Sequence, residues 1–247
     1  MELRVVGSGS SGNAYVLNGK EAALLIECGL PYREQILPAL DFERSKLQGC
    51  IVSHAHKDHS KYLPNILGDA IHCYMPSDLF AMYDRSRYAH CAEVGKVIKV
   101  GDFAVLPFEC VHDVECNGYV ISHPEMGIVL FATDTGYIPA DFSTFCFSHI
   151  MIEANYGEEI IHEKMEQDES LVPHFRHVMR GHMSIEGSVE YLHTLDLRKC
   201  ETVTLIHLSN DNSNEKDFIA RAQKEFPLVR VQVAHAKDKF NFNKKPY

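Results

Sequence analysis

The run HAHKDH at residues 54–59 places three imidazoles and one carboxylate within six residues of one another. It follows directly on the apolar run 49–53, which predicts a buried strand that ends in this cluster. Histidine is the commonest metal-binding side chain, and a neighbouring carboxylate adds an anionic oxygen ligand. The cluster therefore predicts a metal site at the end of a strand, in preference to histidines in a surface turn.

Four more predicted strands end in a histidine or an acidic residue. The residues that follow these strands are His112, Asp134, Glu153 and His207. A rigid sheet can collect side chains from distant parts of a chain through the loops at one of its edges. We therefore expect one site assembled from several strand ends.

Hydrophobic periodicity predicts the elements that position these residues. Strands are predicted at 3–6, 14–17, 22–27, 49–53, 71–74, 97–100, 103–111, 119–122, 128–132, 150–152, 202–206 and 229–234. Helices are predicted at 31–40, from 60 onward, at 77–84, over most of 158–197 and after 212. Asn18-Gly19 predicts a two-residue type I′ hairpin turn, Ser184 predicts a helix N-cap, and Asn212 with Glu215 predicts a capping box.

The composition limits the class of protein. With 247 residues and 45% hydrophobic content, the chain can bury a sizeable core, and we expect one domain over 1–247 with a basic tail at 236–247. A formal charge of −10 argues against coating nucleic acid through bulk charge. The eight cysteines form no C-x-x-C pair, and no signal peptide or membrane span is evident, which predicts a reducing, cytoplasmic compartment.

The H-x-H-x-D-H motif and the order of the later residues resemble the metallo-β-lactamase superfamily. The resemblance implies an α/β (α+β) fold, a four-layer αββα sandwich with two divalent metal ions at one edge. It implies that three histidines bind the first metal: His54, His56 and His112. It implies three ligands for the second metal, Asp58, His59 and His207, and a bridging carboxylate, Asp134.

Within that superfamily the chain resembles the YycJ/WalJ-type DNA exonucleases, which are metal-dependent and work from 5′ ends. The segments that carry this resemblance are Gly9–Asn13, Glu153–Asn155, Gly181–Ser184 and His207–Asn212. The sequence departs from the subgroup at Tyr156, where a histidine is expected. The resemblance implies a nucleic acid substrate, with DNA the expected one.

Two bridged cations suit phosphodiester hydrolysis, because they lower the pKa of a shared water and supply hydroxide as the nucleophile near neutral pH. The mixed nitrogen and oxygen ligands are compatible with zinc, manganese or iron. The catalytic candidates are Asp58, Glu153 and His182. By resemblance to tRNA 3′-processing enzymes, His182 would protonate the leaving 3′-oxygen, and Glu153 would orient it and raise its pKa. A helix-capping histidine packed against Ser184 is the alternative.

Substrate contacts are predicted at five residues: Asn13, Lys57, Arg176, Arg180 and Asn210. The segment 174–180 combines arginines, which bind phosphate bidentately, with Phe175, which could stack on a base. A solvated helix face explains that segment equally well. The glycine-rich loop before Ala14 is either a close approach to a phosphate or a flexible surface loop.

Other functions fit the same fold. An RNA-processing nuclease, or a hydrolase of small phosphodiesters, thioesters or lactones, would use the same metals. A non-catalytic binding protein is a third class, which the complete ligand set disfavours. The sequence does not decide the oligomeric state.

Overall fold

The alternating apolar runs form fourteen strands in the computed structural model, which describes residues 1–244. The first seven are β1 Glu2–Gly7, β2 Ala14–Asn18, β3 Ala23–Ile26, β4 Leu47–Ile51, β5 Cys73–Met75, β6 Ala89–Cys91 and β7 Ile98–Val100. The others are β8 Phe103–Cys110, β9 Cys116–His123, β10 Gly127–Ala132, β11 His149–Glu153, β12 Thr202–Ile206, β13 Arg230–Val233 and β14 Lys239–Asn241. They form two sheets, ordered β14-β1-β2-β3-β4-β5-β6 and β13-β12-β11-β10-β9-β8-β7.

Eight α-helices connect the strands: α1 Leu37–Ala39, α2 Lys57–Ser60, α3 Leu63–Gly68, α4 Ser77–Ala81, α5 Glu158–Gln167, α6 Val172–Gly181, α7 Ile185–His193 and α8 Glu215–Glu225. Tyr32–Ile36 forms one π-helical turn ahead of α1. Single 3₁₀ turns lie at Arg44–Lys46, Glu169–Leu171 and Leu197–Lys199. Within residues 1–244, no helix is both long and apolar enough to span a bilayer.

The two sheets pack face to face. Leu3 and Leu24 of the first sheet share one buried cluster with Phe103 and Phe131 of the second. Helices α1, α3 and α4 cover the outer face of the first sheet through a second cluster, and α7 and α8 cover the second sheet through a third. This arrangement confirms the predicted four-layer αββα sandwich.

Strand directions explain why the site forms at one edge. β10, β11 and β12 are mutually parallel, and β8 has the same direction as β10 because β9 is antiparallel to both. In the first sheet, β3 and β4 are parallel. The carboxyl ends of these strands therefore lie at a common edge of each sheet, and the loops that follow them meet there.

Three local predictions were wrong. Asn18 pairs with Ala23, so the hairpin loop spans the four residues 19–22 and is not a two-residue turn. In place of one helix from residue 60 there are two short ones, α2 at Lys57–Ser60, which carries two candidate ligands, and α3 at Leu63–Gly68. The last helix is capped by Asn214, which accepts a hydrogen bond from the Asp217 N–H, and not by the predicted Asn212. Ser184 does cap α7, as predicted.

The basic tail is largely an ordered strand. β14 pairs with β1, and Leu3 lies opposite Phe240. Beyond β14, the Phe242 ring is fully buried and stacks on His149 with 4.1 Å between ring centroids. This part of the predicted basic tail therefore belongs to the folded structure, while Lys245 of the tail lies outside the described residues.

Candidate metal centre

Seven residues that the sequence singled out meet at the common sheet edge. Three groups of possible ligand atoms share Asp134, and within each group the atoms lie within 4.8 Å of one another; the third group is Asp134, Glu153, His182 and His207. The first group is His54, His56, His112 and Asp134, and the second is Asp58, His59, Asp134 and His207. These are the two sets that the superfamily resemblance implied, with the same shared carboxylate.

Hydrogen bonds orient the histidines of the first group. Ser53 Oγ lies 2.8 Å from His54 Nδ1, and His112 Nδ1 lies 2.7 Å from the Gly181 carbonyl oxygen. A Cβ at Gly181 would lie 3.0 Å from His112 Nδ1, so a side chain at this position would press on the His112 ring. Partners of this kind fix which ring nitrogen is left to bind a metal, which here is Nε2 in both residues.

His207 is oriented by Glu153, which is fully buried. His207 Nδ1 lies 3.0 Å from Glu153 Oε1, and the same oxygen lies 2.7 Å from His182 Nδ1. The other carboxylate oxygen accepts hydrogen bonds from the backbone N–H groups of Thr135 and Met183 at 3.0 and 3.2 Å. Glu153 thus joins a candidate ligand to the candidate proton donor.

Three non-glycine residues at the site have left-handed backbone conformations. Glu27, Asp134 and His207 have φ angles of +63°, +47° and +55°. Each lies within two residues of the end of a strand, where the chain turns to direct a side chain into the cluster. Strained backbone of this kind is concentrated at functional sites, because the surrounding structure must hold it in place.

Several ionisable side chains of the site are buried together, among them Asp134, Glu153 and His207. Burial raises the pKa of Asp134, but His207 and His59 outweigh it and hold that pKa well below its usual range. Burial lowers the pKa of His207, while the carboxylates of Asp134, Asp58 and Glu153 raise it to about 10. A cation in the cluster would satisfy these carboxylates directly.

The donor set fits divalent metals by a further criterion. Among the described residues, His54 Nε2 and His207 Nε2 are buried and have no hydrogen-bond partner. They lie 3.6 Å from Asp134 Oδ2 and 3.7 Å from Asp58 Oδ2, respectively. Buried polar atoms almost always have a partner, and a metal ion is the partner that these ring nitrogens and nearby carboxylates suit.

Sequence reasoning missed two acidic residues. Glu27 is fully buried, accepts a hydrogen bond from the Ser53 N–H, and lies 3.5 Å from His59 Nδ1. Asp113 Oδ1 lies 3.0 Å from His112 Nε2 and 3.4 Å from His56 Nε2. Both had the signal used for the other residues, since Glu27 ends a predicted strand and Asp113 follows His112.

Asn13 and Phe175 lie elsewhere than their predicted roles require. Asn13 is fully buried, and its amide nitrogen lies 3.0 Å from His59 Nε2, so its side chain contacts the ligand cluster itself. In the loop before it, Gly9 and Gly12 are buried, while Ser10 and Ser11 are exposed. Phe175 is 4% exposed and packs against Tyr156 and Ile161. The prediction that Phe175 stacks on a base is therefore wrong. Tyr156, at which this sequence departs from the exonuclease subgroup, is a buried residue of the same cluster.

The other predicted contact residues are exposed. Lys57, Arg176, Arg180 and Asn210 all have side chains open to solvent. Arg180 also lines a groove of about 560 Å³ that opens beside His112 and includes Asp113, Tyr137 and His177. The described structure thus has one cationic groove wall that adjoins the metal ligands.

Two sheets packed face to face, with histidines and carboxylates gathered at one edge, define a class of metal-dependent hydrolases. The chain belongs to the metallo-beta-lactamase superfamily, whose sequence model matches residues 7–154. The matched region contains the 54–59 motif together with His112, Asp134 and Glu153. His207 lies beyond it, on a strand that only the fold brings to the site.

Similar proteins agree with this assignment. The chain is 24% identical over 226 residues to "Exodeoxyribonuclease WalJ" of Streptococcus pneumoniae serotype 2 (strain D39 / NCTC 7466), covering 85% of this chain and 82% of that protein. The crystal structure of the metallo-beta-lactamase fold protein YhfI from Bacillus subtilis has a TM-score of 0.75 at 16% identity, covering 97% of this chain and 99% of YhfI. The short form of human tRNase Z has a TM-score of 0.65 at 15% identity, covering 98% of this chain and 99% of that enzyme. The likenesses to the two solved structures show the fold.

Proposed function

We propose that this hydrolase is a dinuclear metal-dependent DNA exonuclease that degrades DNA in the 5′ to 3′ direction. The observation that carries the proposal is the similarity to an exodeoxyribonuclease over 85% of the chain. The arrangement of two candidate ligand groups around Asp134 supports it independently. The first metal would be held by His54, His56 and His112, and the second by Asp58, His59 and His207, with Asp134 shared.

Two divalent ions bound there would make a nucleophilic hydroxide available near neutral pH and neutralise charge that develops on the phosphate. Zinc, manganese and iron all accept this mixture of imidazole and carboxylate ligands. Asp58 and Asp134 supply the negative charge that such ions require, because histidine neighbours keep both pKa values below their usual range.

His182 is placed to donate a proton to the leaving 3′-oxygen. Its Nδ1 is bonded to Glu153, while its Nε2 makes no hydrogen bond to any described residue. Burial lowers the pKa of His182, but the Glu153 carboxylate outweighs burial and raises it overall. The alternative, in which His182 packs against Ser184 at a helix cap, is disfavoured because Ser184 Oγ bonds Gly187 and Glu158 instead.

Exposed cations can guide the DNA backbone to this centre. Arg176 and Arg180 lie on α6, and Lys57 begins α2 beside two ligands of the second group. Arginine forms two parallel hydrogen bonds to a phosphate, whereas lysine acts as a point charge. If Arg176, Arg180 and Lys57 each contact one phosphate, the logarithm of the binding constant should fall against the logarithm of salt concentration with a slope of only about −2 to −3.

The test is digestion of 5′- and 3′-labelled DNA and RNA by stripped protein, after zinc, manganese, iron or magnesium has been restored. We expect stepwise release of the 5′ label from DNA, with activity recovered only when metal is added. Cleavage of RNA alone would reassign the enzyme to RNA processing. Turnover of only a small bis-aryl phosphodiester, a thioester or a lactone would contradict the nuclease proposal.

A further inference from the structure

Tyr137 is an exposed aromatic ring beside the candidate metal centre. It is 60% exposed, although large aromatic side chains usually find a buried environment. Of the large hydrophobic side chains exposed in residues 1–244, Tyr137 is the one that lines the groove containing His112. An exposed ring at this position can contact a ligand that binds in the groove.

The backbone that carries Tyr137 is held rigidly. Thr135 Oγ1 accepts from the Val111 N–H at 2.9 Å and donates to the Tyr137 carbonyl oxygen at 2.6 Å. The Gly136 N–H donates to the Val111 carbonyl oxygen at 2.8 Å. Glycine is needed at 136, because a Cβ there would overlap the carbonyl oxygen of Arg180. The backbone of Tyr137 is therefore fixed relative to Asp134, three residues earlier.

The ring itself is uncommitted. No described residue stacks on the Tyr137 ring or accepts a hydrogen bond from its hydroxyl. A tyrosine on a fixed backbone has only two side-chain torsions to order, so it loses little conformational entropy when a ligand covers it. This combination of a fixed base and a free ring is what a stacking platform requires.

The remaining groove wall provides one guanidinium, that of Arg180, and one carboxylate, that of Asp113. Arg180 makes no ion pair with a described carboxylate, and His177 Nε2 lies 4.0 Å from Asp113 Oδ2. An aromatic face and a free guanidinium in one groove match a nucleotide, which presents a flat base next to a phosphate. The groove volume of about 560 Å³ is within the usual range for small-ligand sites.

We infer that this groove is a nucleobase subsite, in which Tyr137 stacks on the base next to the scissile phosphodiester and Arg180 binds a neighbouring phosphate. The inference rests on the proposed nuclease function and assigns to Tyr137 the stacking role that the buried Phe175 cannot perform. Because every base has a π face, stacking of this kind tolerates any sequence. The subsite would thus favour nucleic acid over small phosphodiesters without selecting a base.

The experiment measures equilibrium binding of fluorescent single-stranded oligonucleotides by anisotropy. The oligonucleotides carry phosphorothioate linkages that resist hydrolysis and either normal or abasic terminal nucleotides. Tyr137→Ala should raise Kd for the normal oligonucleotide about 5- to 150-fold, which is the range for loss of one stacked base. Tyr137→Phe should retain affinity, and Phe42→Ala, which removes another exposed aromatic outside the groove, is the matched control.

The abasic oligonucleotides give the decisive comparison. If Tyr137 stacks on the terminal base, then Tyr137→Ala should cause no further loss once that base is absent. If Tyr137→Ala loses the same affinity for normal and abasic oligonucleotides, the inference is wrong. It is also wrong if the substitution changes the oligomeric state and leaves affinity unchanged, because the ring would then form a contact between copies of the chain.

Binding and hydrolysis distinguish the two proposals. Tyr137-dependent binding without hydrolysis of DNA would retain the subsite and reject the exonuclease. Hydrolysis of DNA with no effect of Tyr137→Ala on binding would retain the exonuclease and reject the subsite. Wild-type protein that binds neither DNA nor RNA would reject both.

Discussion

Replacement of His182 by alanine tests most directly whether proton donation and metal binding are performed by different residues. His182 belongs to neither of the two groups that we propose as metal ligands; in the third possible group, with Asp134, Glu153 and His207, its Nδ1 is bonded to Glu153. Its side chain is 23% exposed, while its partner Glu153 is fully buried. His182→Ala should therefore leave the metal content unchanged and remove only the proton that the leaving oxygen requires.

The magnitude follows from the geometry of this pair. A positioned general acid contributes roughly 100- to 10,000-fold to turnover, or about 2.7–5.4 kcal/mol of transition-state stabilisation. The 2.7 Å bond to Glu153 holds the ring in one orientation and stabilises its protonated form. We therefore expect kcat for DNA to fall by on the order of 100-fold or more, and the metals should sustain the remaining rate.

The assay compares two leaving groups. Alkoxide departure from DNA needs a proton, whereas nitrophenolate departure from bis-nitrophenyl phosphate does not, so His182→Ala should affect only the first reaction strongly. His162→Ala, which removes an exposed histidine on α5, is the matched control and should leave both rates unchanged. Unchanged DNA hydrolysis by His182→Ala, or equal losses on both substrates, would refute the proton-donor role.

Three further outcomes are expected. His112→Ala and His207→Ala should each lower the content of a different metal, as measured by mass spectrometry and metal titration; full retention of both metals in either variant would disprove the ligand assignment. Because metal binds only the folded site, restoring metal at 100 times its Kd should add about 2.7 kcal/mol of stability and raise the melting temperature by roughly 5–10 °C. If the melting temperature of stripped protein does not rise when metal is restored, this prediction is wrong. Phe242→Ala should cost about 3–5 kcal/mol in chemical denaturation, because its ring is fully buried, whereas Leu228→Ala at a 97% exposed position should change stability by less than about 0.5 kcal/mol. A small effect of Phe242→Ala would mean that the carboxyl-terminal strand does not stabilise the fold.

Much of the fold could be predicted because its signals are local. β12 lies at the predicted residues 202–206, and most other strands differ from their predicted bounds by one to three residues. β6 was not predicted, because its three residues, of which only Ala89 is buried, carry almost no alternating pattern. The last helix was assigned the wrong cap because Asn212 and Asn214 are both good capping residues by sequence.

The candidate site could be predicted where residue type and order carried the signal. The 54–59 motif and the residues after four later strands lie together in the structure, because parallel strands direct their carboxyl ends to one edge. Exposure could not be read in the same way. Phe175 and Tyr137 are both aromatic residues near candidate site residues. Phe175 is buried because it packs against α5, whereas Tyr137 lies outside that cluster and is exposed.

The sequence by itself determined the kind of site, since only a few side chains bind metals and their spacing in the 54–59 motif is specific. It also determined the alternation of strands and helices, because side-chain periodicity is a property of the local chain. Only the tertiary structure decided which atoms face one another. Glu27 lies beside His59, Asp113 beside His56, and Tyr137 in one groove with Arg180, and these residues, far apart in the chain, meet only when the chain folds.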